Sequence, residues 1–103
     1  MKIDWSQRSI SDLQALHDYI AQDSRLYAER FVAKLIRSTE PLADFPELGR
    51  RVPEEPEQAN VRELVVQTYR IIYRVEAERI LIATVLHGSR DLVRLEEKPW
   101  QAP

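Results

Sequence analysis

The sequence predicts a small α+β domain: an N-terminal strand, then a two-helix hairpin packed on a small twisted antiparallel sheet. Three observations predict it. Two stretches with apolar residues at helical spacing follow one another across the short break Asp23-Ser24. Three runs rich in β-branched and aromatic residues fill the second half, from Val61 to His87. One proline-rich, charged segment separates the two halves and is too short to link independent domains. With 103 residues the chain fits one domain, 1–103, in which 88–103 read as a C-terminal tail.

Taken in order, "KIDW" alternates, with Ile3 and Trp5 on one side and Lys2 and Asp4 on the other, as a short strand does. The first helix shows a stripe of Ile10, Leu13, Leu16, His17 and Ile20, and Ser9 followed by Asp12 is a capping-box-like start. Ser24 caps the second helix, with Tyr27, Ala28, Phe31, Leu35 and Leu42 on one face. The short break sets the two helices antiparallel. Pro41 should kink or restart the second helix, because proline removes a donor and clashes with the preceding turn. Pro46 and Gly49 end it, and "GRRVPEEPEQAN" reads as a loop.

"VRELVV", "YRIIYRVE" and "RILIATVLH" read as strands, the last apolar on both faces and therefore central. A turn at Gln67-Thr68 sets Val66 opposite Tyr69, Leu64 opposite Ile71 and Arg62 opposite Tyr73. A turn at Ala77-Glu78 sets Tyr73 opposite Ile82 and Arg70 opposite Val85. One face then carries Leu64, Val66, Tyr69, Ile71, Tyr73, Val75, Ile80, Ile82 and Leu86, and receives the helices. The other carries Val65, Ile72, Leu81, Ala83 and Val85, with Arg70, Arg74 and His87 among them. That second face, left uncovered by the helices, is an apolar floor with a basic rim, which suits docking. The alternative is that Glu63 and Glu76 neutralise these arginines as surface ion pairs of little worth.

Composition narrows the function classes. Net charge is −2, which argues against a general nucleic-acid binder. Of 15 basic residues, Lys2, Lys34 and Lys98 are the lysines, so arginine, the residue of planar bidentate contacts, dominates. There is no cysteine, hence no disulfide framework, thiolate site or thiol nucleophile, in keeping with a cytoplasmic location. The start lacks the apolar core of a signal peptide, and no run of 18 apolar residues suggests a membrane. His17 and His87 lie on different elements without acidic ligand spacing, so no metal and no cofactor is expected. Gly49 and Gly88 are the only glycines, too few for a phosphate-cradling loop.

The strings "DLQALHDYIAQDS", "LADFPELGRRVPE", "VRELVVQTYRIIYRV" and "VLHGSRDL", in that order with Trp5 before them, cover nearly the whole chain. They resemble the RelE/ParE superfamily of toxins from bacterial type II toxin–antitoxin modules, and the last two look like its ParE branch. The resemblance implies a toxin neutralised by a cognate antitoxin whose C-terminal segment folds on binding. It implies contact with operator DNA only through that antitoxin. ParE-like members poison DNA gyrase and block replication; RelE-like members cut mRNA on the ribosome.

Cutting RNA needs a base, a general acid and cations around the phosphate. Family nucleases place several lysines and arginines on the exposed sheet face and a Tyr or His near the C-terminus. Here no tyrosine follows Tyr73 and the only late lysine is Lys98. The expectation is therefore a non-enzymatic gyrase poison with no catalytic residue, the ribosome-dependent mRNA interferase being the alternative. The residues expected to bind the target are Arg62, Arg70, Arg74, His87 and Arg90. Trp5, Phe31 and Leu35 are the antitoxin-binding candidates, each equally suited to the core.

Overall fold

The structure is a computed structural model, and it describes residues 1–88. Strand β1 (Lys2–Trp5) leads into helix α1 (Gln7–Ala21), then α2 (Arg25–Thr39), which runs on as a 3₁₀ turn over Glu40–Ala43. The two-residue strand β2 (Arg50–Arg51) follows, then β3 (Val61–Val66), β4 (Tyr69–Val75) and β5 (Arg79–His87). The strands form one sheet in the order β1-β5-β4-β3-β2. The expected α+β architecture is present, with one refinement: β1 joins β5 in parallel, while the other pairings are antiparallel. The long connection between them, which holds both helices and strands β2 to β4, makes that arrangement possible, since a parallel neighbour needs one.

Helix α1 starts earlier than Ser9. Ser6 is the N-cap, its side chain accepting from the Ser9 amide, and the buried Ser9 hydroxyl donates back to the Ser6 carbonyl. Asp12 therefore does not serve a capping box. Helix α2 is capped by Ser24 as expected, and Pro41 falls in the 3₁₀ turn where the α-helix gives way. Leu13, Phe31, Leu35, Leu42, Ile71, Tyr73, Ile80, Ile82 and Val85 form the main core between helices and sheet, with Ile3 and Trp5 packed against it. Ile10, expected on the inner stripe of α1, is instead exposed.

The β3–β4 register is the expected one, from Val66–Tyr69 through Arg62–Tyr73. Its two-residue turn places Gln67 at φ 54°, in the left-handed region. The β4–β5 register holds as far as Tyr73–Ile82 and then shifts by one residue at a β-bulge. Beyond it Val85 pairs with Ile71, Leu86 with Arg70 and His87 with Tyr69. Val85 thus joins the main core and Leu86 the opposite face, the reverse of the expected placement. A bulge has this effect because side chains alternate with period two.

The bulge lies where β1 ends and β5 loses its ladder partner. Helix α1 takes over that edge: the Ser6 amide donates to Ile82 O and its hydroxyl to Ala83 O, 2.9 Å. Asp12 accepts from the Val85 amide at 3.0 Å and from the Thr84 hydroxyl. The backbone groups freed by the bulge are thus satisfied by α1 rather than left orphaned.

The face away from the helices is not bare. The segment after β2 crosses it, burying Val52 with Val61, Ile72, Ala83 and Leu86 in a second apolar cluster.

Candidate functional site

Strand β4, Tyr-Arg-Ile-Ile-Tyr-Arg-Val, organises both faces of the sheet. On the outer face Arg70 is buried, its side chain 6% exposed, and lies between two carboxylates. Its Nε and Nη2 donate to Glu63 Oε1 at 3.0 and 2.6 Å, while Nη1 and Nη2 form a fork on Glu54 at 2.9 and 2.7 Å. Glu63 has no exposed side-chain surface, and its other oxygen accepts from Arg50 Nε and Nη2 at 3.0 and 2.9 Å. The Glu54 hydrogen bond is the largest influence on the Arg70 guanidinium and, with Glu63, outweighs burial to hold it more firmly protonated. The cluster ties loop 52–60 to the sheet through Glu54, β2 through Arg50, and β3 through Glu63.

Arg74, the next outward arginine, is half-buried and paired with Glu76. Glu76 also accepts from Arg79, which reaches Asp4 on β1 at 3.2 Å. The Arg79 hydrogen bond first, then that of Arg74, holds the Glu76 carboxyl below the usual carboxylate range.

On the inner face Tyr73 is fully buried and its hydroxyl works in both directions. It donates to Pro46 O at 2.8 Å and accepts from the Gly49 amide at 2.9 Å. Burial pushes its phenol pKa up, against the opposing influence of the Gly49 hydrogen bond and of Arg62. A Cβ on Gly49 would lie 2.5 Å from Glu63 O and 2.7 Å from the Tyr73 hydroxyl, so only glycine admits this approach. Arg62, opposite Tyr73, donates through Nη1 to Gly49 O at 2.9 Å, while its buried Nε has no partner.

His87 lies on Tyr69's side of the sheet, with ring centroids 5.5 Å apart and edge-on. Tyr69 in turn contacts Phe31 at 5.5 Å. Tyr69 and His87 border a cleft of about 240 Å³ that Arg8, Asp12 and Thr84 also line.

The chain's relatives fit this architecture. Residues 3–92 match the family described as the ParE toxin of type II toxin–antitoxin system, parDE. Toxin RelE2 of Caulobacter vibrioides is 38% identical over 87 residues, which cover 84% of this chain and 93% of that protein. The chain belongs to the ParE toxin family. Two solved structures share the fold of this ParE-family toxin. The chromosomal ParDE toxin–antitoxin system from P. aeruginosa matches with a TM-score of 0.69 and 22% identity, over 84% of this chain and 95% of that one. The RelBE2 toxin–antitoxin complex from Mycobacterium tuberculosis matches with a TM-score of 0.60 and 21% identity, over the same shares.

Within the ParE-family toxin, the residues expected to bind the target are dispersed. Arg70 and Arg74 point outward and are held by carboxylates, Arg62 supports the inner loop, and the bulge carries His87 to the face of Tyr69. Arg90 lies outside the described residues. Among the antitoxin-binding candidates, Phe31 and Leu35 are buried in the main core, and Trp5 packs against it partly exposed. Four residues carry weight that the sequence reading did not assign: Glu54 and Asp12 as tethers, and Phe45 and Leu48 as exposed apolar side chains. The signal for the last two was present in "DFPELG", where the turn-formers Pro46 and Gly49 directly follow Phe45 and Leu48.

Proposed function

We propose that this ParE-family chain is a toxin that binds and poisons DNA gyrase without breaking a bond itself, and that a cognate antitoxin neutralises it. The observation that carries this reading is the Glu54–Arg70–Glu63 arrangement. A phosphodiester approaching Arg70 would have to displace a carboxylate fork and would meet a buried second carboxylate behind it. That is the opposite of the exposed, unneutralised cations that stabilise a phosphorane. Poisoning by binding asks only for a surface. The proposed contact residues are Arg74, His87 and Arg90, with Arg62 and Arg70 holding the segments around them. No helix among the described residues is long and apolar enough to cross a membrane. The reading places the toxin in the cytoplasm with gyrase and brings it to operator DNA only through the antitoxin.

Ribosome-dependent mRNA cleavage is the second reading, favoured by the 38% identity to a protein named Toxin RelE2. The two separate in one pair of assays, purified chain added to gyrase supercoiling reactions and to programmed ribosomes. Loss of supercoiling with intact mRNA is expected. Cut mRNA with normal supercoiling would overturn the gyrase reading.

A further inference from the structure

Residues Phe45-Pro46-Glu47-Leu48 form a β-turn whose ends display large apolar side chains, Phe45 64% and Leu48 56% exposed. The turn is tightly held. The Leu48 amide donates to Phe45 O at 3.0 Å and the Phe45 amide to Pro41 O at 2.9 Å. Pro46, at the second turn position, has its φ preset. From beneath, the buried Tyr73 hydroxyl grips Pro46 O and the Gly49 amide. Phe45, Leu48 and Val75 line an open concavity of about 620 Å³ together with Asp44 and Glu47. Its lining residues thus include two carboxylates and no base.

We propose that this turn is a docking site for the antitoxin, and that the docked segment carries a bulky aliphatic or aromatic side chain beside lysine or arginine. The inference rests on the toxin reading above and adds to it where the partner binds. Two observations select the occupant. The carboxylates at the rim repel phosphate, so the surface is unsuited to gyrase-bound DNA or to ribosomal RNA and suits a cationic peptide. The clamped turn is already ordered, so a folding-on-binding partner meets apolar anchors that lose little freedom of their own. Exposed Phe45 and Leu48 in a fixed geometry, inside a polar rim, give a partner an apolar centre to desolvate on docking.

The test uses the full chain and the purified product of whichever small reading frame adjoins its gene. Phe45→Ala with Leu48→Ala should weaken that complex by at least about 30-fold, the scale of a hot-spot loss of about 2 kcal/mol. Both side chains are exposed, so the melting temperature should stay near that of the parent. Inhibition of the target by the variant should persist, and co-expressed antitoxin should no longer rescue growth. Asp44→Lys with Glu47→Lys should also weaken the complex, by a factor that shrinks as salt is raised. Unchanged antitoxin affinity in the folded double-alanine variant would overturn the proposal. So would loss of target inhibition with antitoxin binding intact, which would assign the turn to the target. If the parent chain itself fails to bind the product, the toxin reading falls first, a result distinct from either.

Discussion

The two faces of the sheet solve the same problem by different chemistry. Each must hold an irregular segment against strand β4. On the inner face a neutral phenol, Tyr73, grips the turn that ends at Gly49. On the outer face a guanidinium, Arg70, grips loop 52–60 through Glu54 while Glu63 fixes it from below. The difference follows from what each segment offers. The inner turn presents backbone groups, which one hydroxyl satisfies as donor and acceptor. The outer loop presents the carboxylates of "PEEPEQ", which call for a planar cation with fork geometry. The phenol clamp should ignore salt and fail in alkali. The ionic clamp should weaken whenever a single partner is removed, since that leaves a buried charge with fewer partners.

The largest effect is expected on the ionic side. Glu63→Ala should destabilise the fold by about 3 kcal/mol, read by urea unfolding, because it takes two hydrogen bonds from the buried Arg70, leaving it on the Glu54 fork, and releases Arg50. Arg70→Ala belongs to the same class, so loss of toxicity in that variant reports on folding before it reports on target contact. Replacing Arg70, Glu54 and Glu63 together with apolar residues of similar size should recover much of the loss. If Glu63→Ala melts like the parent, the outer clamp is not a clamp.

Next comes Gly49→Ala, at about 3 kcal/mol, since its Cβ would press on backbone and on a buried phenol rather than on a flexible tip. Tyr73→Phe keeps the packing but leaves Pro46 O and the Gly49 amide without their partner, at about 2 kcal/mol. Because the Tyr73 pKa is raised in the fold, its contribution is complete below the free value of 10 and is lost as pH rises through the folded value. Alkaline unfolding monitored by the tyrosinate absorbance should therefore shift to lower stability in the parent above pH 10, with a smaller slope in Tyr73→Phe.

The smallest effects belong to the surface. Glu76→Gln should cost within about 1 kcal/mol at neutral pH. The Glu76 pKa is lowered in the fold, so its contribution is present above the free value of 4.5 and disappears as pH falls through the folded one. Parent and variant should converge in acid melts, and in high salt as well. Gln67→Gly should raise stability by about 0.5–1 kcal/mol by relieving the left-handed turn residue.

How much of this was legible in the sequence differs from element to element. The helix hairpin was, because Ser24 and the stripe Ala28, Phe31, Leu35 act through local hydrogen bonds and helical spacing alone. So was the β3–β4 register, which a two-residue turn sets by itself. The start of α1 was misplaced by three residues because Ser6 and Ser9 are both competent caps. The phenol clamp escaped notice because Tyr73 reads as a core aromatic until its hydroxyl is placed against residues far away in the chain.

What the sequence by itself determined is therefore the set of elements, their order and the inward set of β4, since period and turn chemistry are local. The tertiary structure alone decided the bulge in β5, because it forms where β1 runs out and Ser6 and Asp12 of α1 take over the edge. From that one residue follows the passage of His87 to the inner side and Leu86 to the outer. The tertiary structure also decided the fate of the outward arginines. Glu54 lies 16 residues before Arg70, and only the path of loop 52–60 over the sheet brings the carboxylate to the guanidinium. Sequence alternation assigns a side chain to a face; whether that face is open depends on which distant segment covers it.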